Sequence, residues 1–400
     1  MVSVQQADKI VQAHTGDYGA ETVSLEEATG RILAENITAD RDLPPFNRAT
    51  MDGVAISHKS YLQGTRSFRI KGVQAAGDPP VEISRPDECI EIMTGCALPE
   101  STDTVIPYED ILIQEQQAIL QSAVQVNQNV HAKGKDKKRA DLLVPSGTRI
   151  NPAVIAVAAS VGKSLLAVKK QPRTLIISTG NELIEVEGTP SPYQIRRSNN
   201  YMIRSVLEEY KLFADMIHLP DDQEVIQQQV GTALNAYDVV LLSGGVSMGR
   251  FDFVPQALKT LEVKELFHKV EQRPGKPFWF GLQEQTNTLV FGFPGNPVST
   301  FLCLHRYFLP WLKRSLGIPP LPLYAALDGD IRFAPPLQYF IQVKWQINEK
   351  GQSVAKPEEG NGSGDFSNLL GAHAFMELPS TQTDFQRGEV FPVWPFTPLS

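Results

Sequence analysis

Cysteine is scarce in this 400-residue chain, with three residues at Cys89, Cys96 and Cys303. The number is odd and no two form a C-x-x-C pair, which argues against a disulfide framework or a zinc site and fits a reducing cytosol. Long hydrophobic runs are missing too. The longest, Ala153 to Val161, is too short to cross a bilayer. The opening residues, Met-Val-Ser-Val-Gln-Gln-Ala-Asp-Lys-Ile, have no signal-peptide apolar core. A soluble, cytoplasmic protein is expected, with no membrane partner. There is no basic excess: 37 Lys and Arg stand against 45 Asp and Glu, a net charge of −8. That argues against a nucleic-acid partner, which calls for a basic face. The densest basic run, Lys133 to Arg139, reads as a solvated turn or as a local patch. Internal repeats and low-complexity tracts are also lacking. What remains is a chain of globular composition, 42% hydrophobic. It is too long for one core and predicts about two to four domains.

The texture changes along the chain. Residues 4–14 place Val4, Ala7, Ile10 and Val11 on one helical face. Residues 24–35 open with Ser24 and Glu27, a capping-box pattern that predicts a second helix. From about 45 to 140, short apolar runs alternate with Gly, Pro and Asp turns: 54–56, 68–70, 89–93, 104–107, 111–113 and 118–121. This predicts a small β-rich domain. Residues 151–168 return to a helix and a short strand. Between 172 and about 316 the rhythm becomes strand–helix–strand, with strands at 174–178, 214–218, 239–242 and 288–291. Helices are predicted over 200–210, 222–236, 254–261 and 297–316. Such alternation predicts a mostly parallel sheet covered on both faces. Residues 320–400 are Pro-rich with an alternating strand at 340–345, which suggests a small all-β domain.

Three strands of the α/β segment end in unusual loops: Ser178-Thr179-Gly180-Asn181-Glu182, Ser243-Gly244-Gly245-Val246-Ser247 and Pro294-Gly295-Asn296-Pro297-Val298-Ser299. In an open parallel sheet, ligands bind beyond the carboxyl ends of the strands, so all three loops should share one crevice. Glycines allow close backbone approach there, and serine hydroxyls add donors suited to an anion. Pro297 suits the first turn of a helix. Arg273-Pro274-Gly275-Lys276-Pro277 offers two cations on a stiff loop, or a plain surface turn. The acids Glu182, Asp221, Asp222 and Asp252 could hold a hard cation such as Mg²⁺ through oxygen. Asp221-Asp222 precedes a predicted helix, where Asp is commonly an N-cap. In the β-rich segment, Pro44 to Gly53 is a rigid polar stretch entering a strand. Thr94-Gly95 ends another strand, and Asp136 lies in the charged loop.

Taken together these motifs resemble a known family. Asn47-Arg48-Ala49-Thr50-Met51-Asp52-Gly53-Val54-Ala55 is similar to the N-x-A-M-D-G-Y-A signature of the molybdopterin molybdenumtransferases, the MoeA and gephyrin E-domain family. Met93-Thr94-Gly95, Ser178 to Leu183, Ser243 to Gly249, Pro274 to Pro277, Pro294 to Ser299 and Gly362-Ser363-Gly364-Asp365 follow in the family's order. The resemblance spans essentially the whole chain. It implies a multidomain α/β plus β fold in an elongated homodimer. Residues 1–44 and 141–171 would form a discontinuous linker domain, and 45–140 a β-rich inserted domain. Residues 172–318 would form a three-layer α/β, molybdopterin-binding, MogA-like domain, and 319–400 a C-terminal β-barrel-like domain. It further implies insertion of molybdate into adenylylated molybdopterin with release of AMP and help from Mg²⁺. A cleft shared across the dimer is expected, as is transient contact with a molybdopterin adenylyltransferase. A non-catalytic binding or scaffold protein on the same fold is the alternative.

Carried over, Asp52, Thr94, Asp136 and Glu182 are the polar residues of the cleft. Asp221, Asp222 and Asp252 become candidate metal ligands. Ser178, Thr179, Gly180, Ser243, Gly244, Gly245, Ser247, Arg273, Pro294, Gly295, Asn296 and Pro297 belong to the substrate site. Lys276, Ser299 and Ser363 fall where the family holds molybdate. Several positions depart from the pattern. Arg197, Arg250 and Lys135 stand at positions the family gives to acids, and His131 replaces an Arg. Arg273 stands for the first Lys of K-P-G-K-P, and Pro336 to Phe340 replaces an arginine-containing motif. Where such residues face the cleft, positive charge should favour anions and weaken metal binding.

Overall fold

Residues 174–179, 239–243 and 288–293 are apolar, β-branched-rich runs whose side chains are buried on both sides, as central strands of a covered sheet must be. The computed structural model describes residues 1–246, 253–358, 360 and 362–397. Ser247, Arg250 and Asp252 lie outside the described residues. The chain divides into two compact units, residues 1–23, 30–34 and 167–400, and residues 24–29 and 35–166.

In the larger unit a six-stranded sheet runs in the order Asp215–Leu219, Thr174–Thr179, Val239–Ser243, Thr288–Phe293, Trp279–Gln283, Lys264–His268. The first four strands are parallel. The last two are antiparallel and escaped the sequence reading, because Lys264, Glu265 and Gly281 interrupt their apolar pattern. Alternate residues feed two cores. Ile176, Leu241 and Phe291 pack with Ile203, Leu207, Leu302, Phe308 and Trp311 on one face. Leu175, Ile177 and Leu242 pack with Ile226, Val230, Ala257 and Leu258 on the other. This is the expected three-layer α/β arrangement. From Thr174–Thr179 the chain steps outward to Asp215–Leu219, then crosses back to Val239–Ser243. The order therefore reverses between Thr179 and Ser243, where a ligand crevice opens.

The helix predicted over 297–316 is present, with a difference. It runs as Pro297–Cys303, a π-helical turn Leu304–Phe308, and Leu309–Ser315. The π turn buries five consecutive residues, His305 and Arg306 among them. The His305 Nδ1 lies 2.9 Å from the Phe301 carbonyl oxygen, and burial holds its pKa down to about 4. In the unfolded chain this histidine takes up its proton near pH 6.5, so the unfolded state binds it first. His305 therefore contributes full stability above that pH and loses it as the pH falls towards 4, by about 3 kcal/mol. Tryptophan fluorescence in urea checks this. All four tryptophans, Trp279, Trp311, Trp345 and Trp394, lie in the larger unit. A His305→Leu variant should show a flatter dependence of the midpoint on pH between 7 and 4.5 than the parent.

The C-terminal segment closes on itself. Gln338–Ile347, Ser353–Pro357, Leu323–Leu327, Val390–Pro395 and Ala374–Leu378 pair in that order, and the first also pairs with the last. The result is a small barrel, within the all-β segment that the sequence suggested. The short strand Gln272–Arg273 joins it in parallel beside Gln338 and Tyr339. A buried ion pair fastens the barrel to the α/β layers: Arg306 Nε lies 3.1 Å from Glu377 Oε2.

The smaller unit holds a six-stranded sheet in the order Thr104–Pro107, Gly53–Ile56, Glu88–Ile92, Ser67–Gln74, Gln117–Leu120, Ile111–Gln114. All six expected runs are strands. Ser24 and Glu27 do form a capping box, yet the helix they open covers only Leu25–Ala28. Gly30, at φ +88°, turns the chain away. Among the described residues no helix is long and apolar enough to cross a membrane.

Candidate functional site

At the carboxyl edge of the parallel strands lies a cavity of about 800 Å³. Three strand ends build its floor. Thr179, Gly180 and Glu182 come from the first strand, Gly244 and Gly245 from the third, and Pro294, Gly295, Asn296 and Ser299 from the last. Asp221, Arg273, Lys276 and Ser363 complete the expected set. Close approach explains the glycines: at Gly245, φ +67°, a Cβ would stand 2.6 Å from Thr179 Oγ1. That Thr179 hydroxyl is buried beneath Gly245 and has no hydrogen-bond partner among the described residues. Asn296 Nδ2 donates to Ser363 Oγ at 2.9 Å and Val298 N donates to the Ser363 carbonyl at 3.1 Å. These two bonds seat the Ser363 loop over the start of the Pro297 helix.

Other expected residues sit just outside. Ser178 is buried below the floor, its Oγ accepting from Asn200 Nδ2 at 3.0 Å and meeting His218 Nδ1 at 3.0 Å. Burial and the Arg197 charge push the His218 pKa below its ordinary value. Ser243 Oγ accepts from Asn199 Nδ2 at 3.1 Å. Pro297 occupies the first helical turn. Asp222 caps the helix Gln223–Ala236, its Oδ1 accepting from the Glu224 and Val225 amides at 3.0 Å. It does not line the cavity. Asp221 and Asn181 clasp each other through reciprocal bonds of 3.1 Å.

Charge in the cavity is mixed. Arg273 and Lys276 supply the cations; Glu182, Asp221 and Glu358 supply the acids, with Glu358 paired to Lys344 at 3.1 Å. Of the basic departures, Arg273 alone lines the cavity among the described residues. Arg197 is instead held by an ion pair with Glu185. Among the described residues no group of three or more His, Cys, Asp or Glu side chains is placed to hold a metal ion. Sequence reasoning missed Gln272, Tyr339, Gln342 and Glu358, which also line the cavity.

The smaller unit has a polar centre of its own. Asp52 Oδ1 accepts from the Thr94 amide at 2.6 Å and from its hydroxyl at 2.7 Å. The amide, then the hydroxyl, hold the Asp52 carboxyl below its usual range. Oδ2 accepts neither bond. Gly53 is required beside it, because a Cβ there would stand 1.9 Å from the Ile106 carbonyl oxygen. His131 Nε2 lies 2.8 Å from Asp136 Oδ1. The pairing of Val130 and His131 with Ala49 and Arg48 ties the segments carrying the two acids together.

Comparison with known proteins bears on this geometry. Residues 2–162 match the MoeA N-terminal region (domain I and II), 175–314 a probable molybdopterin binding domain, and 324–396 the MoeA C-terminal region (domain IV). The molybdopterin molybdenumtransferase of Synechocystis is 39% identical over 98% of this chain and 100% of its own. The chain belongs to the molybdopterin molybdenumtransferase family. With the family comes membership among the transferases of molybdenum cofactor biosynthesis. The Staphylococcus epidermidis molybdopterin molybdenumtransferase is 30% identical over 98% of this chain and 95% of its own. A crystal structure of a molybdopterin biosynthesis MoeA protein from Pyrococcus horikoshii covers all of both chains at a TM-score of 0.85 and 28% identity. A second, of the same organism, gives 0.82 at 27%. The cavity lies within the stretches matched by the second and third family regions, and Asp52 and Thr94 within the first.

Proposed function

We propose that the chain inserts molybdate into adenylylated molybdopterin, releasing AMP with help from Mg²⁺. The observation that supports this best is the cavity itself: glycine-rich strand ends and two cations face one space large enough for a pterin phosphate. Lys276 and Arg273 hold the tetrahedral dianion, with Ser299 and Ser363 as hydroxyl donors. The bare backbone at Gly244 and Gly245 lets the phosphate come close, with the Gly245 amide as the donor. In the reaction, water cleaves the phosphoanhydride between the pterin phosphate and AMP. The dithiolene sulfurs replace molybdate oxygens, which leave as water. Glu182 and Asp221 are hard oxygen donors on the cavity wall. Two carboxylates fit a Mg²⁺ that keeps waters and substrate phosphate oxygens as its other ligands. Bound there, the ion would neutralise charge on the diphosphate. Asp222, as a helix cap, is not among these donors.

In this reading the protein is a cytoplasmic homodimer with four domains per chain and contacts a molybdopterin adenylyltransferase in passing. Light scattering after gel filtration tests the dimer. The central test is to give the purified protein adenylylated molybdopterin, molybdate and Mg²⁺. AMP and a molybdenum-bearing pterin should both appear; tight pterin binding with no AMP would instead mark a binding protein.

Asp52 gives a sharper prediction. Asp52→Asn keeps an oxygen for the Thr94 amide but removes the charge. AMP release should fall by about 10²-fold, the scale of a lost general acid or base, with the unfolding midpoint unchanged. A variant that turns over at the parent rate would remove Asp52 from the chemistry.

A further inference from the structure

Beneath the Arg273–Lys276 loop lies a fully buried polar trio, Gln272, Cys303 and Tyr307, each with no exposed surface. The Tyr307 hydroxyl hydrogen-bonds to Gln272 Oε1. Gln272 Nε2 donates to the Gly275 carbonyl at 3.3 Å, and Cys303 Sγ reaches the same oxygen at 3.8 Å. That carbonyl also accepts from the Phe278 amide at 3.2 Å. The loop is thus gripped at its tip from inside the protein. Gly275 is pressed against the grip: at φ +86°, a Cβ would stand 2.7 Å from Gln272 Nε2 and 2.9 Å from Cys303 Sγ. One residue on, Lys276 is exposed and lines the cavity, with no ion pair among the described residues.

The π-helical turn is what brings Tyr307 here. It holds His305, Arg306 and Tyr307 buried in succession, towards three different partners. Such turns inside α-helices recur at functional sites. The Tyr307 ring also stacks on Phe278, at 4.8 Å between centroids, so the far end of the loop rests on the same side chain. We infer that Tyr307, acting through Gln272, is a positioning residue that sets where Lys276 meets the oxyanion. The inference rests on the reading of this cavity as the molybdate site. The Tyr307 hydroxyl fixes the Gln272 amide, and the Nε2 of that amide converges with the Cys303 thiol on the carbonyl next to the cavity lysine.

Calorimetric titration of the full chain with molybdate alone tests this. Tyr307→Phe keeps the ring and removes one oxygen. It should weaken molybdate binding about 3- to 10-fold, the equivalent of one net hydrogen bond. The fraction of protein competent to bind should stay the same. On a Lys276→Ala background the same change should have almost no further effect, because residues acting through one another are not additive. A merely structural role gives the opposite pattern, with fewer competent sites of unchanged affinity, or equal weakening in both backgrounds; either result overturns the inference. Gln272→Met removes the same grip from the other side and serves if Tyr307→Phe does not fold. If Lys276→Ala itself leaves molybdate binding unchanged, the cavity reading fails first, and that outcome is distinct from a failure of Tyr307 alone.

Discussion

Replacing Lys276 by alanine is expected to lower molybdate transfer by about 10²- to 10³-fold, the range seen when one preorganised electrostatic contact is removed from an active site. Its backbone role survives the change, since the Lys276 carbonyl still accepts from the Val270 amide at 2.9 Å. The side chain is exposed on the cavity wall, so no core packing is lost. What disappears is one positive charge facing a dianion. At about 4 Å and a dielectric constant near 20, a pair of unit charges is worth roughly 4 kcal/mol, which spans the expected loss. Arg273 cannot fully replace it, because its guanidinium lies over the Phe333 ring, 5.9 Å from the centroid. Three variants separate charge from shape. Lys276→Met, which keeps the stem, should behave like alanine, and Lys276→Arg should retain most of the rate. Initial rates against molybdate concentration check this, and a methionine variant at the parent rate would show that the charge is not used.

The strand-end loops were legible because each carries its own punctuation. Gly180, Gly244-Gly245 and Pro294-Gly295 interrupt apolar, β-branched runs, and the parallel topology then forces them to one edge. The capping box at Ser24 and Glu27 was legible for the same local reason, although the stop at Gly30 shortened its helix. Asp222 shows the limit of residue type. Next to Asp221 it looks like half of a metal site, yet a helix begins at Gln223 and its free amides claim the carboxylate. Gln342 was not legible at all. Alternation along Gln338–Ile347 defines two faces but not which one meets the α/β layers; that is settled by docking of the barrel, through contacts between residues far apart in sequence. Arg197 is similar: its partner Glu185 decides that it does not add charge to the cavity.

That docking includes one buried charge pair beside a shared apolar core, and breaking it should be strongly destabilising. Arg306 and Glu377 have side chains only 6% and 8% exposed. Both side chains make further polar contacts. Arg306 also reaches Asp8 Oδ1 at 2.9 Å and lies over the Trp394 ring, 4.3 Å from the centroid. Glu377 accepts from Gln338 Nε2 at 2.9 Å and Trp394 Nε1 at 2.8 Å. Arg306→Met strands the Glu377 carboxylate in a dry site and should cost about 3–5 kcal/mol. Glu377→Met leaves the guanidinium with Asp8 as its remaining acid and should cost less. The double variant leaves neither charge behind and should be clearly less unstable than the two losses added together. Urea midpoints from tryptophan fluorescence measure this directly, because every tryptophan reports on this unit. Simple additivity would mean that the two side chains act independently. Because Gln272–Arg273 pairs with Gln338 and Tyr339 as an edge strand of the barrel sheet, the barrel that Glu377 anchors also borders the Arg273–Lys276 loop. Arg306→Met, measured well below its unfolding midpoint, should therefore weaken molybdate binding as well. Unchanged affinity in that variant would show that the barrel's anchorage and the loop's position are separable.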